Sequence, residues 1–180
     1  MKIYIALLRG INVSGQKLIK MERLREVMTD EGFANVRTYI QSGNIIFQSS
    51  ESNEQQLETK ISEVILKHFG FEVPVRITTL DELEWIRENN PFATEHLQDA
   101  TQPYITFLSE VPQTDRQNDF EQLTFAQDRF IFKNRVMYLW YADSAANTKL
   151  NNQVIESKLK LKATSRNFKT LLKLIELAKD

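Results

Sequence analysis

An α+β fold is predicted for this chain by three features: helical and strand-like apolar periods alternate, glycines punctuate them, and the order over residues 2–78 is βαββαβ. Residues 2–8 set Ile3, Ile5 and Leu7 against Tyr4, Ala6 and Leu8, which suits a strand buried on both faces. Residues 11–19 carry Gly15 and polar side chains and read as a loop. In the first helix Met21, Leu24, Val27 and Met28 form one apolar stripe, closed by Gly32. Val36–Ile40 and Ile45–Ser49 are β-rich runs split by Ser42-Gly43, a hairpin signal. Ser52 and Gln55 resemble a capping box before a helix with Leu57, Ile61, Val64, Ile65 and Leu66 inside, ended by Gly70. Val73–Thr78 is the fourth strand, and Pro74 places it at a sheet edge. This is the ferredoxin-like pattern, and it requires strand order 4-1-3-2.

From residue 79 the pattern continues as a smaller α+β subdomain. Thr79 and Glu82 cap a helix running to Asn90, where Pro91 stops it. Tyr104–Leu108 is a strand, and a short helix falls around Arg116–Leu123. Phe130–Lys133 and Val136–Tyr141 form a hairpin turning at Asn134, and two helices, near 145–158 and 166–178, finish the chain. No repeat of solenoid period and no linker appears, so subdomains 1–78 and 79–180 are expected to pack tightly.

Composition narrows the function. The chain has 180 residues, a formal net charge of −1 and no cysteine, which excludes disulfides, zinc-thiolate and iron–sulfur sites and a cysteine nucleophile. Nothing approaches the ~20 apolar residues of a membrane helix or the core of a signal peptide, so a cytoplasmic protein without a membrane partner is expected. Near-neutral charge disfavours binding nucleic acid by bulk electrostatics. Residues 149–180 nevertheless carry eight Lys or Arg against three acids, either a solvated helix face or a patch for an anionic partner.

Chemistry concentrates at one place. In the 4-1-3-2 order the end of strand one lies beside the start of strand three, so Arg9-Gly10-Ile11-Asn12 should meet Ser42-Gly43-Asn44. Arginine offers a charged fork for phosphate or carboxylate. Glycine frees the backbone, and each asparagine has donors and an acceptor. The same residues are also ordinary turn formers, and Arg9 could equally pair with a carboxylate. The two histidines, His68 and His96, have no partner at metal spacing. No nucleophile–base set stands out, so enzymatic activity stays open and no cofactor is indicated.

Ala6-Leu7-Leu8-Arg9-Gly10-Ile11-Asn12-Val13 and Val36-Arg37-Thr38-Tyr39-Ile40-Gln41-Ser42-Gly43-Asn44 resemble the two signature stretches of the bacterial domain-of-unknown-function 1697 family. Ala163–Thr170 is similar to that family's Thr-x-Arg-Asn-Trp motif, with Phe168 in place of tryptophan. The common Val-Gly-Gly after Asn12 reads Val13-Ser14-Gly15 here. The resemblance spans essentially the whole chain and implies a ferredoxin-like N-terminal part, with no established activity.

Adding the third motif gives three like-composed patches: Arg9, Arg37 and Arg166 with Asn12, Asn44 and Asn167. The expectation is a ligand site of Arg9, Gly10, Asn12, Arg37, Ser42, Gly43, Asn44, Arg166 and Asn167. It would take a small anionic or nucleotide-like molecule in a cleft between subdomains. The alternatives are nucleic-acid binding or a protein–protein module without catalysis; the oligomeric state is not legible. The RNA-recognition pattern is not matched, since strands one and three offer only Tyr4 and Phe47.

Overall fold

A computed structural model describes residues 1–94 and 102–180. His96 lies outside them. The chain divides into two compact units, residues 1–85 with 173–180, and residues 86–172.

In the first unit β1 (Lys2–Leu8), α1 (Met21–Asp30), β2 (Ala34–Tyr39), β3 (Asn44–Ser49), α2 (Glu54–Phe69) and β4 (Val75–Thr78) give the expected βαββαβ order. The antiparallel sheet runs β2-β3-β1-β4, the predicted order read from its other edge. Tyr4, Ala6, Leu8, Ile45, Phe47 and Ile77 point to the helix side and pack with Leu24, Val27, Met28, Leu57, Ile61 and Ile65. Tyr4 and Phe47 stack within this core at 5.9 Å, so neither is a platform for a base. Ile5, Leu7 and Ile46 are also buried, as expected of strands covered on both faces. Asn53, one residue after the expected Ser52, caps α2 by accepting from the Gln55 and Gln56 amides.

β4 is an edge strand preceded by Pro74, as its sequence requires. Its Arg76 is 5% exposed and meets Glu54, Glu58 and Glu82 at 3.1–3.5 Å. The Ile77 amide and the Thr78 hydroxyl donate to the same carboxylates, on Glu58 and Glu82 respectively. This pins the edge strand to α2 and to the start of α3 (Leu80–Glu88), so a buried charge is matched where the sheet would otherwise be open.

The second unit contains β5 (Tyr104–Leu108), α4 (Thr114–Glu121), β6 (Arg129–Lys133), β7 (Val136–Trp140), α5 (Asn152–Leu159) and β8 (Ala163–Asn167), followed by α6 (Phe168–Lys179). The order is again βαββαβ, and the sheet runs β6-β7-β5-β8, the arrangement of the first unit. The two terminal helices are present, but between them lies β8, a strand that apolar periodicity does not reveal: Ser165, Arg166 and Asn167 read as polar and are only half-buried. Thr164 and Ser165 therefore pair with β5, and the cap of α6 is Asn167, which accepts from the Thr170 amide at 2.8 Å.

Equivalent hydrogen bonds repeat. Leu8 N donates to Gly43 O and Arg9 N to Pro74 O in one unit; Leu108 N donates to Arg135 O and Ser109 N to Lys162 O in the other, all at 2.8–3.0 Å. The strands that carry them share Tyr-Ile-x-x-Leu, Tyr4–Leu8 and Tyr104–Leu108.

Glu31, at the C-terminal end of α1, receives His68 Nε2 at 2.9 Å and Lys67 Nζ at 2.6 Å from the last turn of α2. The His68 bond first, then the Lys67 bond, holds its carboxyl down to about 2, from an ordinary value of 4.5. A carboxyl depressed by folding stabilises fully above its unfolded value and loses that contribution as pH falls through the folded one. The melting-temperature gap between the wild type and Glu31→Gln should therefore narrow between pH 4.5 and 2; a gap constant over that window would remove Glu31 from the account.

Candidate functional site

The expected meeting of the two motifs occurs within the first unit. Leu7 pairs with Asn44, and Leu8 N donates to Gly43 O, so the loop after β1 (9–20) lies against the β2–β3 turn (40–43). Asn12 binds them together. Its Nδ2 donates to Ile19 O at 3.0 Å and to Gln41 O at 2.8 Å, while its Oδ1 accepts from Ile19 N at 2.8 Å. One side chain thus ties three stretches of backbone, and Ile19 is not marked out by the sequence. Lys17 reaches across to donate to Glu72 O at 2.6 Å.

The backbone here is unusually left-handed. Gly10, Asn12, Ser14, Gly15, Lys17, Ile40 and Gly43 all have φ between +46° and +82°. Ser14 and Gly15 turn a miniature hairpin in which Gln16 N donates to Val13 O, and two positive φ values in succession make it a type I′ turn. Ser14 takes this conformation at φ +49°. Ile40, placed by its propensity in β2, instead starts the turn at φ +53°. For a β-branched residue that is strain, about 1–2 kcal/mol.

Asn44 is fully buried; its Nδ2 donates to Tyr39 O at 2.9 Å and to Ser42 Oγ at 3.2 Å, closing the turn from below. Gly43 is held for space as well as conformation. A Cβ there would lie 2.6 Å from Ile11 Cδ1 and 2.8 Å from Leu8 Cβ. Arg9 is half-buried at the mouth of the loop, and Gly10 and Ser42 are exposed.

The remaining expected residues are engaged elsewhere. Arg37 lies on β2 and its Nη2 donates to Leu177 O at 2.6 Å, covering a carbonyl near the C-terminal end of α6. Arg166 lies on β8 opposite Ile105 in the second unit, and its Nη1 donates to Ser165 O. Burial lowers its guanidinium to about 10, which leaves it charged at neutral pH. Asn167 is the cap of α6. Trp140 meets Phe92 in a tilted ring contact at 5.4 Å beneath the Arg129 guanidinium, and the Tyr141 hydroxyl donates to Leu150 O, so both are occupied within the second unit. Among the described residues no three His, Asp or Glu side chains cluster to hold a metal, and no helix is long and apolar enough to cross a membrane.

Gly43→Ala and Gly10→Ala separate space from strain. Both impose a positive φ on alanine, but only Gly43 also meets neighbours, since nothing lies within 4 Å of a Cβ at Gly10. Urea melts should show a loss of about 2–4 kcal/mol for Gly43→Ala and about 1 kcal/mol for Gly10→Ala. Equal losses would contradict the close approach.

The conserved bacterial protein SP0830 from Streptococcus pneumoniae has a similar structure, with a TM-score of 0.77 at 28% identity over 100% of this chain and 99% of that one. No curated protein matches the chain. The model of DUF1697, a protein family of unknown function, matches residues 1–138, which include both N-terminal motifs, and the chain belongs to that family.

Proposed function

We propose that the sheet end formed by residues 9–20 and 40–43 binds a small anionic or nucleotide-like ligand. Arg9 supplies the charged donor, and Gly10 and Ser42 bring backbone and hydroxyl close. Asn12, Gly43 and Asn44 hold that surface in shape. In this reading Arg37, Arg166 and Asn167 serve their own units, and the cysteine-free chain is compatible with a reducing cytoplasm.

The observation that carries the reading is the length of the loops. Both units have the same topology, yet the β1–α1 connection takes twelve residues (9–20) where the equivalent β5–α4 connection takes five (109–113). The β2–β3 turn takes four (40–43) where β6–β7 takes two (134–135). The fold can be closed with the shorter connections; Ile11 and Ile19 of the longer one pack into the core, and the exposed remainder of the added chain is left for something other than folding. Long loops on a rigid scaffold are where binding residues concentrate. The added chain contains Arg9, Lys17 and Lys20 and no carboxylate.

A thermal-shift panel of inorganic phosphate, nucleotides, sugar phosphates and carboxylates tests this, with short RNA and DNA as further arms. A ligand at ~100 times its dissociation constant stabilises the native state by roughly 2.7 kcal/mol. The expected outcome is a shift with one anionic class that Arg9→Ala abolishes. A shift that survives Arg9→Ala, or none with any anion, contradicts the proposal.

A further inference from the structure

The Asn12 knot adjoins three exposed aliphatic side chains. Each backbone stretch it ties adjoins one: Val13 follows Asn12, Leu18 precedes Ile19 and Ile40 precedes Gln41. They are 59%, 66% and 47% exposed. A single exposed aliphatic residue is ordinary; three on segments tied by one hydrogen-bonding centre offer an apolar surface. Ile40 is the most telling. Its left-handed backbone suits asparagine or glycine, and its exposed side chain gains little packing, so neither local conformation nor the core accounts for an isoleucine.

The charges of the same loops say what the surface faces. Arg9, Lys17 and Lys20 lie within 9–20, and neither 9–20 nor 40–43 holds a carboxylate. Lys17 is anchored on the backbone carbonyl of Glu72, which fixes its stem beside the knot. Like charge disfavours pairing of this surface with its counterpart on a second copy of the chain. Exposed aliphatic side chains on loops whose only charges are cationic are complementary to an anionic, apolar-backed surface. Their high exposure means that they project, which suits entry into a fluid interface more than a fit to a preformed socket.

We propose that this loop pair docks the protein on an anionic lipid surface, with Val13, Leu18 and Ile40 entering the headgroup boundary and Arg9, Lys17 and Lys20 meeting lipid phosphates. The contact is peripheral and spans nothing. It shares its cations with the small-anion reading but depends on the aliphatic side chains, which that reading does not need.

The test is co-sedimentation of the full chain with vesicles of phosphatidylglycerol and phosphatidylcholine, and with phosphatidylcholine alone. Binding to the anionic vesicles should weaken at about 0.5 M salt and fall about tenfold or more in Leu18→Glu and in Ile40→Asn. Ile40→Asn removes a β-branched residue from a left-handed position, so it should melt no lower than the wild type while losing the vesicles. That pairing separates docking from folding. No binding to anionic vesicles, equal binding to neutral ones, or binding that both variants retain overturns the proposal; the first would return the surface to a protein partner. A lower melting temperature for Ile40→Asn also counts against it, since Ile40 would then be a packing residue. Inorganic phosphate run in parallel keeps the two readings apart: a thermal shift without vesicle binding supports the small anion alone, and vesicle binding without a shift supports the lipid surface alone.

Discussion

The carboxamide of Asn12 is the interaction on which the end of the first sheet depends. It satisfies Ile19 N, Ile19 O and Gln41 O together, and these belong to segments that no strand pairing joins. Without it, two backbone carbonyls and an amide at the loop base would have to find water. The left-handed residues around it, from Gly10 to Gly43, are tolerable because the knot and the Leu8–Gly43 hydrogen bond hold the backbone where it is. Below it, Asn44 repeats the device on a smaller scale by closing the turn that Asn12 grips.

The duplicated topology explains how such a loop can exist. Each sheet is closed by the same hydrogen bonds at the end of its first strand, and each end is spanned by short connections in one of the two units. The first unit lengthens the connections at that end. The second lengthens those at the opposite end, 122–128 and 141–151, and ties them through Asp128, which accepts from Ala142 N and the Thr148 hydroxyl. One scaffold has thus been elaborated in two directions.

Much of the first unit was legible in the sequence because each element carried its own signal: a period-two apolar strand, a helix with one stripe, a glycine at each stop. The meeting of the two motifs followed from topology and needed no side-chain detail. What those residues do there was not legible. Asn12 and Asn44 have the composition of ligand-binding residues, and in the structure they bond the backbone of Ile19, Gln41 and Tyr39 and the Ser42 hydroxyl, which no sequence pattern announces. β8 was missed for a related reason: a short polar edge strand has no apolar alternation, and Ser165-Arg166-Asn167 looked like the entry to a helix. The second βαββαβ unit went unseen as a repeat, although Tyr4–Leu8 and Tyr104–Leu108 share Tyr-Ile-x-x-Leu; its loops differ so much in length that little else aligns.

The measurement that tests this account most directly is amide hydrogen exchange on the wild type and Asn12→Ala. If Asn12 is the tie, protection should fall together at Ile19 and across the 40–43 turn, a segment distant in sequence, while β5, β7 and β8 exchange as before. Loss confined to residues adjoining 12, with the 40–43 turn unchanged, would contradict the account and make the two loops independent neighbours.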